Sequence, residues 1–136
     1  MKMKTKDLEG KRFLEHILKM EVQLSEKNDE LNYWKKQRII FNNDEIIAKN
    51  IEERSKELEQ MIHVLTEQKL SATKLIDSVK DPIGRSILRR RYILCDTWKK
   101  IAEACGKMSE RNAHYIHDQA LLDFEKLYCG HQAVFI

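Results

Sequence analysis

Apolar residues recur every three or four positions through the first half of the chain, the spacing that places them on one face of an α-helix. The first such seam is formed by Phe13, Ile17, Met20, Leu24, Lys27, Leu31, Trp34, Arg38 and Phe41. The second is formed by Ile47, Ile51, Arg54, Leu58, Met61, Leu65, Gln68, Ala72, Leu75 and Val79. The alternating pattern of a strand is absent. The spacing therefore predicts two long helices with the a/d heptad pattern of a coiled coil.

The two seams are separated by the polar residues Asn42, Asn43, Asp44 and Glu45. Asn and Asp side chains accept hydrogen bonds from the free N–H groups at a helix start, and an acidic residue there opposes the positive end of the helix dipole. This stretch is therefore predicted to begin the second helix. Because the two seams are similar in length, we expect an antiparallel helical hairpin.

A single hairpin offers its apolar seams little core, so we expect homo-oligomerisation through residues 8–79. The seams also contain Lys27, Arg54 and Gln68. Polar residues at such positions either set the register and the oligomer state or lie at a loose seam. The pattern leaves open whether the helices pair within one chain or between chains.

The only proline, Pro82, is the strongest break in the chain. The residue before a proline disfavours helical backbone, whereas proline itself fits the first position of a helix, and Asp81 is a favourable N-cap. One helix is thus predicted to end near Lys80 and another to begin at Pro82. We expect oligomerisation helices at 1–80, a second domain at 81–129 and an apolar tail at 130–136.

The second domain is predicted to contain three helices, the first at 82–94 and the second at 98–105. The local signals are Thr97 and Ser109 as N-caps and Gly106 as a left-handed helix end. The residues expected to face inward on the third helix are Ala113, Ile116, Ala120, Leu121 and Phe124. A short helix, a turn with glycine and a longer helix form the pattern of a helix-turn-helix. The fold class expected is therefore all-α, a long-helix coiled-coil hairpin followed by a three-helix helix-turn-helix domain.

Composition narrows the functional classes. Charged residues make up 35% of the 136 residues, and the net charge is only +3. No apolar run approaches the roughly 18 to 20 residues that span a bilayer. The basic N-terminus is not followed by the apolar stretch of a signal peptide. We therefore expect no membrane partner and a cytoplasmic location. Residues 85–100 contain six basic side chains and one acidic side chain, Asp96. The basic side chains either contact phosphates or form a solvated helix face.

The pattern contains no catalytic arrangement. The four glycines stand alone, so no glycine-rich phosphate loop is present, and no nucleophile–base spacing can be identified. The three cysteines are too widely spaced for a disulfide framework. The best metal cluster, Cys129 and His131 with His114 and His117, lacks the usual ligand spacing. We expect neither an enzyme nor a cofactor nor a metal site.

The C-terminal half resembles a known family. The stretches that carry the resemblance are Leu88-Arg89-Arg90-Arg91-Tyr92-Ile93-Leu94, Thr97-Trp98-Lys99-Lys100-Ile101-Ala102-Glu103, Ser109-Glu110-Arg111 and Ile116-His117-Asp118-Gln119-Ala120-Leu121. They are similar to region 4 of sigma-70 factors and, more closely, to small phage proteins related to late-gene transcriptional activators. The turn at 106–109 is one residue longer than the usual one, and His114 stands where the family often has a basic residue.

The resemblance implies residues that contact double-stranded DNA. The candidates for reading bases on the third helix are Arg111, Asn112, His114 and Tyr115. The candidates for phosphate contacts are Arg89, Lys99, Lys100, Lys107 and Ser109. Arginine matches the guanine edge and asparagine the adenine edge, whereas phosphate contacts position the protein without reading sequence. Arg91, in contrast, is expected to form an ion pair with Glu103.

The function that the resemblance implies is sequence-specific regulation of phage late genes, in the host cytoplasm. Two alternatives use the same features. A phage small terminase-like subunit would combine DNA recognition with a ring of helices. A protein that binds RNA polymerase or a sigma factor would use the helix-turn-helix without reading DNA.

Overall fold

The computed structural model describes residues 8–134, and side chains as far as Gly130. This part of the chain is all-α and contains no strand. Its helices are α1 (Glu9–Ile40), α2 (Glu45–Asp77), α3 (Pro82–Leu88), α4 (Trp98–Ala104) and α5 (Glu110–Val134), with a π-helical segment at Arg89–Ile93 directly after α3. None of these helices carries an apolar stretch long enough to cross a membrane.

The predicted helix starts are confirmed by side-chain caps. The Asp44 carboxylate accepts from the N–H of Ile47, 3.1 Å away, at the start of α2. Asp81 accepts from the N–H of Gly84 at 3.1 Å, with Pro82 as the first residue of α3. These caps satisfy N–H groups that have no partner within their helix, which is why the breaks could be predicted locally.

The described chain divides into two compact units, within each of which the residues contact one another more than they contact the other unit. One contains residues 20–68, and the other contains residues 8–19 together with 69–134. The beginning of α1 and the end of α2 therefore belong with the C-terminal helices. This division differs from the boundary predicted at Asp81, because the helix break there is local whereas the units are defined by contacts distant in sequence.

Residues 20–68 form an antiparallel hairpin in which the two long helices pack against each other. The buried side chains between them are Met20, Leu24, Leu31, Ala48, Ile51 and Leu58. Arg38 pairs with Glu52 at 3.0 Å across the hairpin. Arg54, at a predicted seam position, donates to both carboxylate oxygens of Glu30, at 2.7 and 3.0 Å. The polar seam residue therefore fixes the register of α1 against α2.

The other unit has the larger core. Its fully buried side chains include Leu14, Ile17, Ile76, Ile87, Leu88, Ile101, Leu121 and Phe124. On α3, Ile87 and Leu88 are buried whereas Ile83 is 46% exposed, and on α4 the buried residues are Ile101 and Ala102. Helix α5 continues through Gly130 to Val134, so the part of the predicted tail at 130–134 is helical.

Two glycines allow close approaches to α5. A Cβ atom on Gly84 would lie 2.9 Å from the Cβ of Ala120, and one on Gly10 would lie 2.9 Å from the Phe124 ring. The N–H of Gly10 also donates to the Glu125 carboxylate at 2.6 Å. The helix pattern does not identify these positions, because a glycine that permits a close contact looks like any other glycine in a sequence.

Candidate nucleic-acid interface

Helices α4 and α5 are joined by a turn whose ends are fixed locally. The Thr97 hydroxyl accepts from the N–H of Lys100 at 3.3 Å and caps α4. Gly106 and Lys107 follow α4 with φ angles of 106° and 55°. The Ser109 hydroxyl oxygen then accepts from the N–H of Asn112 at 3.1 Å and caps α5. The predicted caps are confirmed, and the turn contains two consecutive residues with positive φ.

The inner side of α5 anchors the helix. Ala113, Ala120, Leu121 and Phe124 are buried, as predicted, and Ile116 is half-buried. His117 is also buried, with 4% of its surface exposed. The sequence interpretation missed this role. The signal was present, because His117 lies four residues after Ala113 and three before Ala120 and so shares their face.

His117 makes two hydrogen bonds inside this core. Its Nε2 lies 2.7 Å from the Tyr92 hydroxyl, and its Nδ1 lies 3.1 Å from the Asp118 carboxylate. A neutral ring with its proton on Nδ1 satisfies both, since Nε2 then accepts from Tyr92. Burial lowers the pKa of His117, although the Asp118 hydrogen bond opposes the shift, and burial raises the pKa of Tyr92. The pair ties the π-helical segment to α5.

The free energy of unfolding is expected to decrease as the pH is lowered below about 6.5, the ordinary pKa of histidine. Because the folded pKa of His117 is lowered, the unfolded chain binds the extra proton first, so acid favours unfolding. The loss is at most about 1.4 kcal/mol per pH unit for one proton. Urea unfolding at pH 7.5 and 5.5 measures it. The variant His117→Gln should have a smaller difference between the two pH values, and an equal difference would contradict this role for His117.

Trp98, at the start of α4, contacts the His114 ring and the Arg91 guanidinium. The His114 ring centroid is 3.8 Å from that of Trp98, and the Arg91 guanidinium lies 5.2 Å from it. His114 therefore packs against α4 through the ring that was expected to read bases. Arg91 donates to the Asp96 carbonyl at 3.4 Å. The predicted ion pair of Arg91 with Glu103 is wrong, because the Trp98 ring and the Asp96 carbonyl hold the guanidinium instead.

All four base-reading candidates, His114 included, lie on exposed positions of the first two turns of α5. Arg111, Asn112 and Tyr115 are exposed, and Tyr115 has 64% of its surface accessible. Arg111 and Tyr115 are one turn apart on the side opposite the buried residues. Within the described residues, no ion pair occupies the Arg111 guanidinium. These side chains are thus held on a packed helix with their polar ends outward.

The phosphate candidates fall into two groups. Arg89 pairs with Asp77 at 2.7 Å, and Lys100 lies 3.4 Å from the buried Asp96 carboxylate. Lys99 and Lys107 are exposed and form no ion pair in the part of the chain that the structure describes. Ser109 uses its oxygen as a cap, which leaves its O–H available as a donor. Asp96 also accepts from Arg90 at 3.2 Å, so this carboxylate neutralises part of the basic cluster at 85–100.

Possible metal ligands meet elsewhere in the same unit. Glu9, Glu125 and Cys129 place one ligand atom each within 4.8 Å of one another. The Cys129 thiol donates to Glu125 at 3.3 Å, and this hydrogen bond raises the pKa of the thiol. The protonated thiol is the weaker ligand form, so the contact is described as a hydrogen bond. The side chain of His131, which the sequence suggested beside Cys129, lies outside the described residues.

Comparison of the chain with protein-family models, with curated proteins and with solved structures found no match.

Proposed function

We propose that this protein binds double-stranded DNA and reads its sequence with the first two turns of α5, as a phage-encoded regulator of late-gene transcription. The observation that carries the proposal is the exposed set Arg111, Asn112 and Tyr115 on a helix whose opposite side is anchored in the core. In helix-turn-helix proteins, the N-terminal residues of the second helix contact base edges in the major groove. Helices α4 and α5 with their capped turn are proposed to form such a motif.

The side chains suit this task chemically. The Arg111 guanidinium can donate two parallel hydrogen bonds to O6 and N7 of guanine. Asn112 can donate to N7 and accept from N6 of adenine. The ring of Tyr115 can contact a thymine methyl group. His114 is left out of the reading set, because its ring packs on Trp98 with the ring centroids 3.8 Å apart.

Anchoring of the helix supports specificity. A helix whose backbone is already held in place loses less conformational entropy when its side chains bind. The bonds of His117 to Tyr92 and Asp118 fix the second turn of α5 beside the proposed reading residues. The Ser109 cap fixes the first turn. The base-reading side chains would therefore approach the DNA from a rigid support.

The role in late-gene transcription rests on the resemblance to phage activators. Glu110 and Asp118 on the same helix would repel phosphates, so the groove-facing surface is not uniformly basic. Lys99 and Lys107, without ion pairs among the described residues, are the strongest candidates for phosphate contacts. The basic side chains that are already paired, Arg89 and Lys100, would contribute less, because their partners must be displaced or shared.

The salt dependence of binding tests the proposal. In a titration of a fluorescent duplex, the affinity of the full chain should fall steeply with salt, because bound phosphates release counterions. The double variant Lys99→Ala/Lys107→Ala should reduce the slope of log K against log salt by about 2, one unit for each lost contact. Anisotropy at four salt concentrations measures this slope.

A matched control removes the same charge elsewhere. Lys49 and Lys56 are exposed on the hairpin, and the variant Lys49→Ala/Lys56→Ala has the same net charge as the test variant. It should keep the slope of the unchanged protein. Equal slopes for both variants would show that the contact is a general effect of charge and would contradict the proposed phosphate contacts.

A further inference from the structure

The hairpin of residues 20–68 has two unlike faces. One depression between its helices is lined by Trp34, Ile47, Asn50, Ile51 and Arg54, and a second by Gln23, Lys27, Gln60, Met61, Val64 and Leu65. A third, around the other side of α2, is lined mainly by charged residues: Lys35, Arg38, Glu52, Lys56 and Glu59, with Ile51 and Ser55. At 3.6 residues per turn, the first two lie on one side and the third on the other.

The first side exposes several large apolar side chains. We name it the apolar face and define it by Trp34, Ile46, Ile47, Met61 and Val64. Ile46 and Val64 are 18 residues apart, five full turns, so they point in the same direction. They are 76% and 43% exposed, and Met61 is 41% exposed. Exposed apolar patches of this kind mark interaction sites more often than isolated surface residues do.

A network of charges crosses the middle of this face. Arg54 donates to Glu30 with two groups and to Glu57 at 3.1 Å, and the Trp34 indole N–H donates to Glu30 at 2.8 Å. The hydrogen bond from Arg54 lowers the pKa of Glu30 to about 2, so the carboxylate is charged under ordinary conditions. Arg54 shares one positive charge between two carboxylates, Glu30 and Glu57, so a partner that covers this network must supply hydrogen-bond donors of its own.

We propose that the apolar face binds the apolar face of a second copy of this chain, in an antiparallel arrangement with Arg54 at the centre. A two-fold interface requires a patch that is complementary to itself. Along α2, Ile47 lies seven residues before Arg54 and Met61 lies seven residues after it. A two-fold axis that passes the helix at Arg54 and is perpendicular to it therefore places Ile47 of each copy against Met61 of the other.

The charges at the centre fit the same rotation. Arg54 has five N–H donors, of which three are used in the network. Glu57 accepts from Arg54 with one oxygen, and its side chain is 60% exposed. The unused N–H groups of Arg54 in one copy and the second oxygen of Glu57 in the other are therefore complementary. A partner with a purely apolar surface would leave these groups without hydrogen bonds.

The size of the face indicates the strength of the association. From Ile46 to Val64 the helix extends about 27 Å, and two helices of about 10 Å diameter give a footprint of roughly 500 Å². A typical stable interface covers about 800 Å² on each partner. We therefore expect a dimer with a dissociation constant in the micromolar range. This inference does not depend on DNA binding, because the association is measured without DNA.

Sedimentation equilibrium of the full chain tests the interface. The variants Ile46→Lys and Val64→Lys should each weaken dimerisation at least about 10-fold, since a charge would be buried against apolar groups. Both side chains are exposed, so the fold of the chain is expected to survive. The matched controls are Val22→Lys and Ile40→Lys, also five turns apart and 73% and 69% exposed, but on the outer side of α1. They should leave the dimer unchanged.

Two results would overturn the interface. One is a monomer at all concentrations up to about 1 mM. The other is a dimer that the test and control variants weaken equally, which would place the contact elsewhere. Circular dichroism of each variant shows that its helices have formed.

Disulfide cross-linking tests the antiparallel arrangement. In a chain with Cys95→Ser, Cys105→Ser and Cys129→Ser, we would introduce Ile47→Cys in one preparation and Met61→Cys in another. Oxidation of the mixture should give heterodimers of the two variants, because residues 47 and 61 of different copies face each other. Oxidation of either variant alone should give little dimer. Efficient cross-linking of the Ile47→Cys variant with itself would indicate a parallel pair and contradict the proposal.

Discussion

Replacement of Arg111 by alanine is expected to weaken binding to the preferred duplex roughly 5- to 150-fold, the loss of one bidentate contact to a base. The reason is that the Arg111 side chain is exposed, forms no ion pair within the described residues and lies on the outer side of an anchored helix. Asn112→Ala should have a similar effect at a neighbouring base pair. Competition of the preferred duplex against unrelated duplex measures both losses.

The loss should be confined to specific binding. Arg111→Ala removes a charge, so binding to unrelated duplex should fall only slightly, and the ratio of the two affinities should fall strongly. Gln119→Ala is the matched control, an exposed polar residue about two turns further along α5. It should leave the ratio unchanged. An Arg111→Ala protein that keeps its full preference would show that another element reads the bases.

Replacement of Gly84 by valine is expected to lower the free energy of unfolding by about 2 to 3 kcal/mol. A Cβ atom at this position would lie 2.9 Å from the Cβ of Ala120 and 3.2 Å from the Asp81 carboxylate. Neither neighbour is the flexible end of a long side chain, so α3 would have to move away from α5. Urea unfolding followed by circular dichroism at pH 7.5 measures the change.

The chain contains its own control for this prediction. Gly130 is also in a helix, and nothing lies within 4 Å of a Cβ atom placed there. Gly130→Val should change the free energy of unfolding by less than about 0.5 kcal/mol. Ala120→Gly in the Gly84→Val background should recover part of the loss, because it removes the atom in closest contact. A destabilisation of equal size at both glycines would attribute the effect to valine in a helix and not to the crossing.

The helices could be predicted from sequence because their signals are local. Asp44, Asp81, Thr97 and Ser109 cap helices within three residues of themselves. Heptad spacing identifies most of the positions that the long helices bury, although Phe41, Ile47 and Met61 of the predicted seams are exposed. The sequence also indicated that α5 exposes Arg111. These features depend on the order of neighbouring residues, and so a single sequence contains them.

The remaining features depend on contacts between distant segments. His117 is a polar residue in a core, and only its position relative to Tyr92, 25 residues earlier, explains how it is accommodated. The same holds for Gly84, where a side chain would collide with Ala120 of α5. The contact of the His114 ring with Trp98 is likewise one that helical spacing alone does not reveal.

The extent of the compact units could not be predicted for the same reason. A break such as Asp81–Pro82 reports where a helix ends, whereas a unit is defined by which helices bury one another. Gly10 at the start of α1 bonds to Glu125 near the end of α5, across most of the chain. No local pattern links these two residues.

Selection of duplexes from a random pool at about 0.1 M salt tests the central proposal most directly. The full chain is used beside a variant with Arg111→Ala, Asn112→Ala and Tyr115→Ala. The proposal predicts that the unchanged protein enriches a defined sequence motif and that the variant, folded by circular dichroism, enriches none. If neither protein enriches a motif, or both enrich the same one, the reading of DNA by α5 is contradicted.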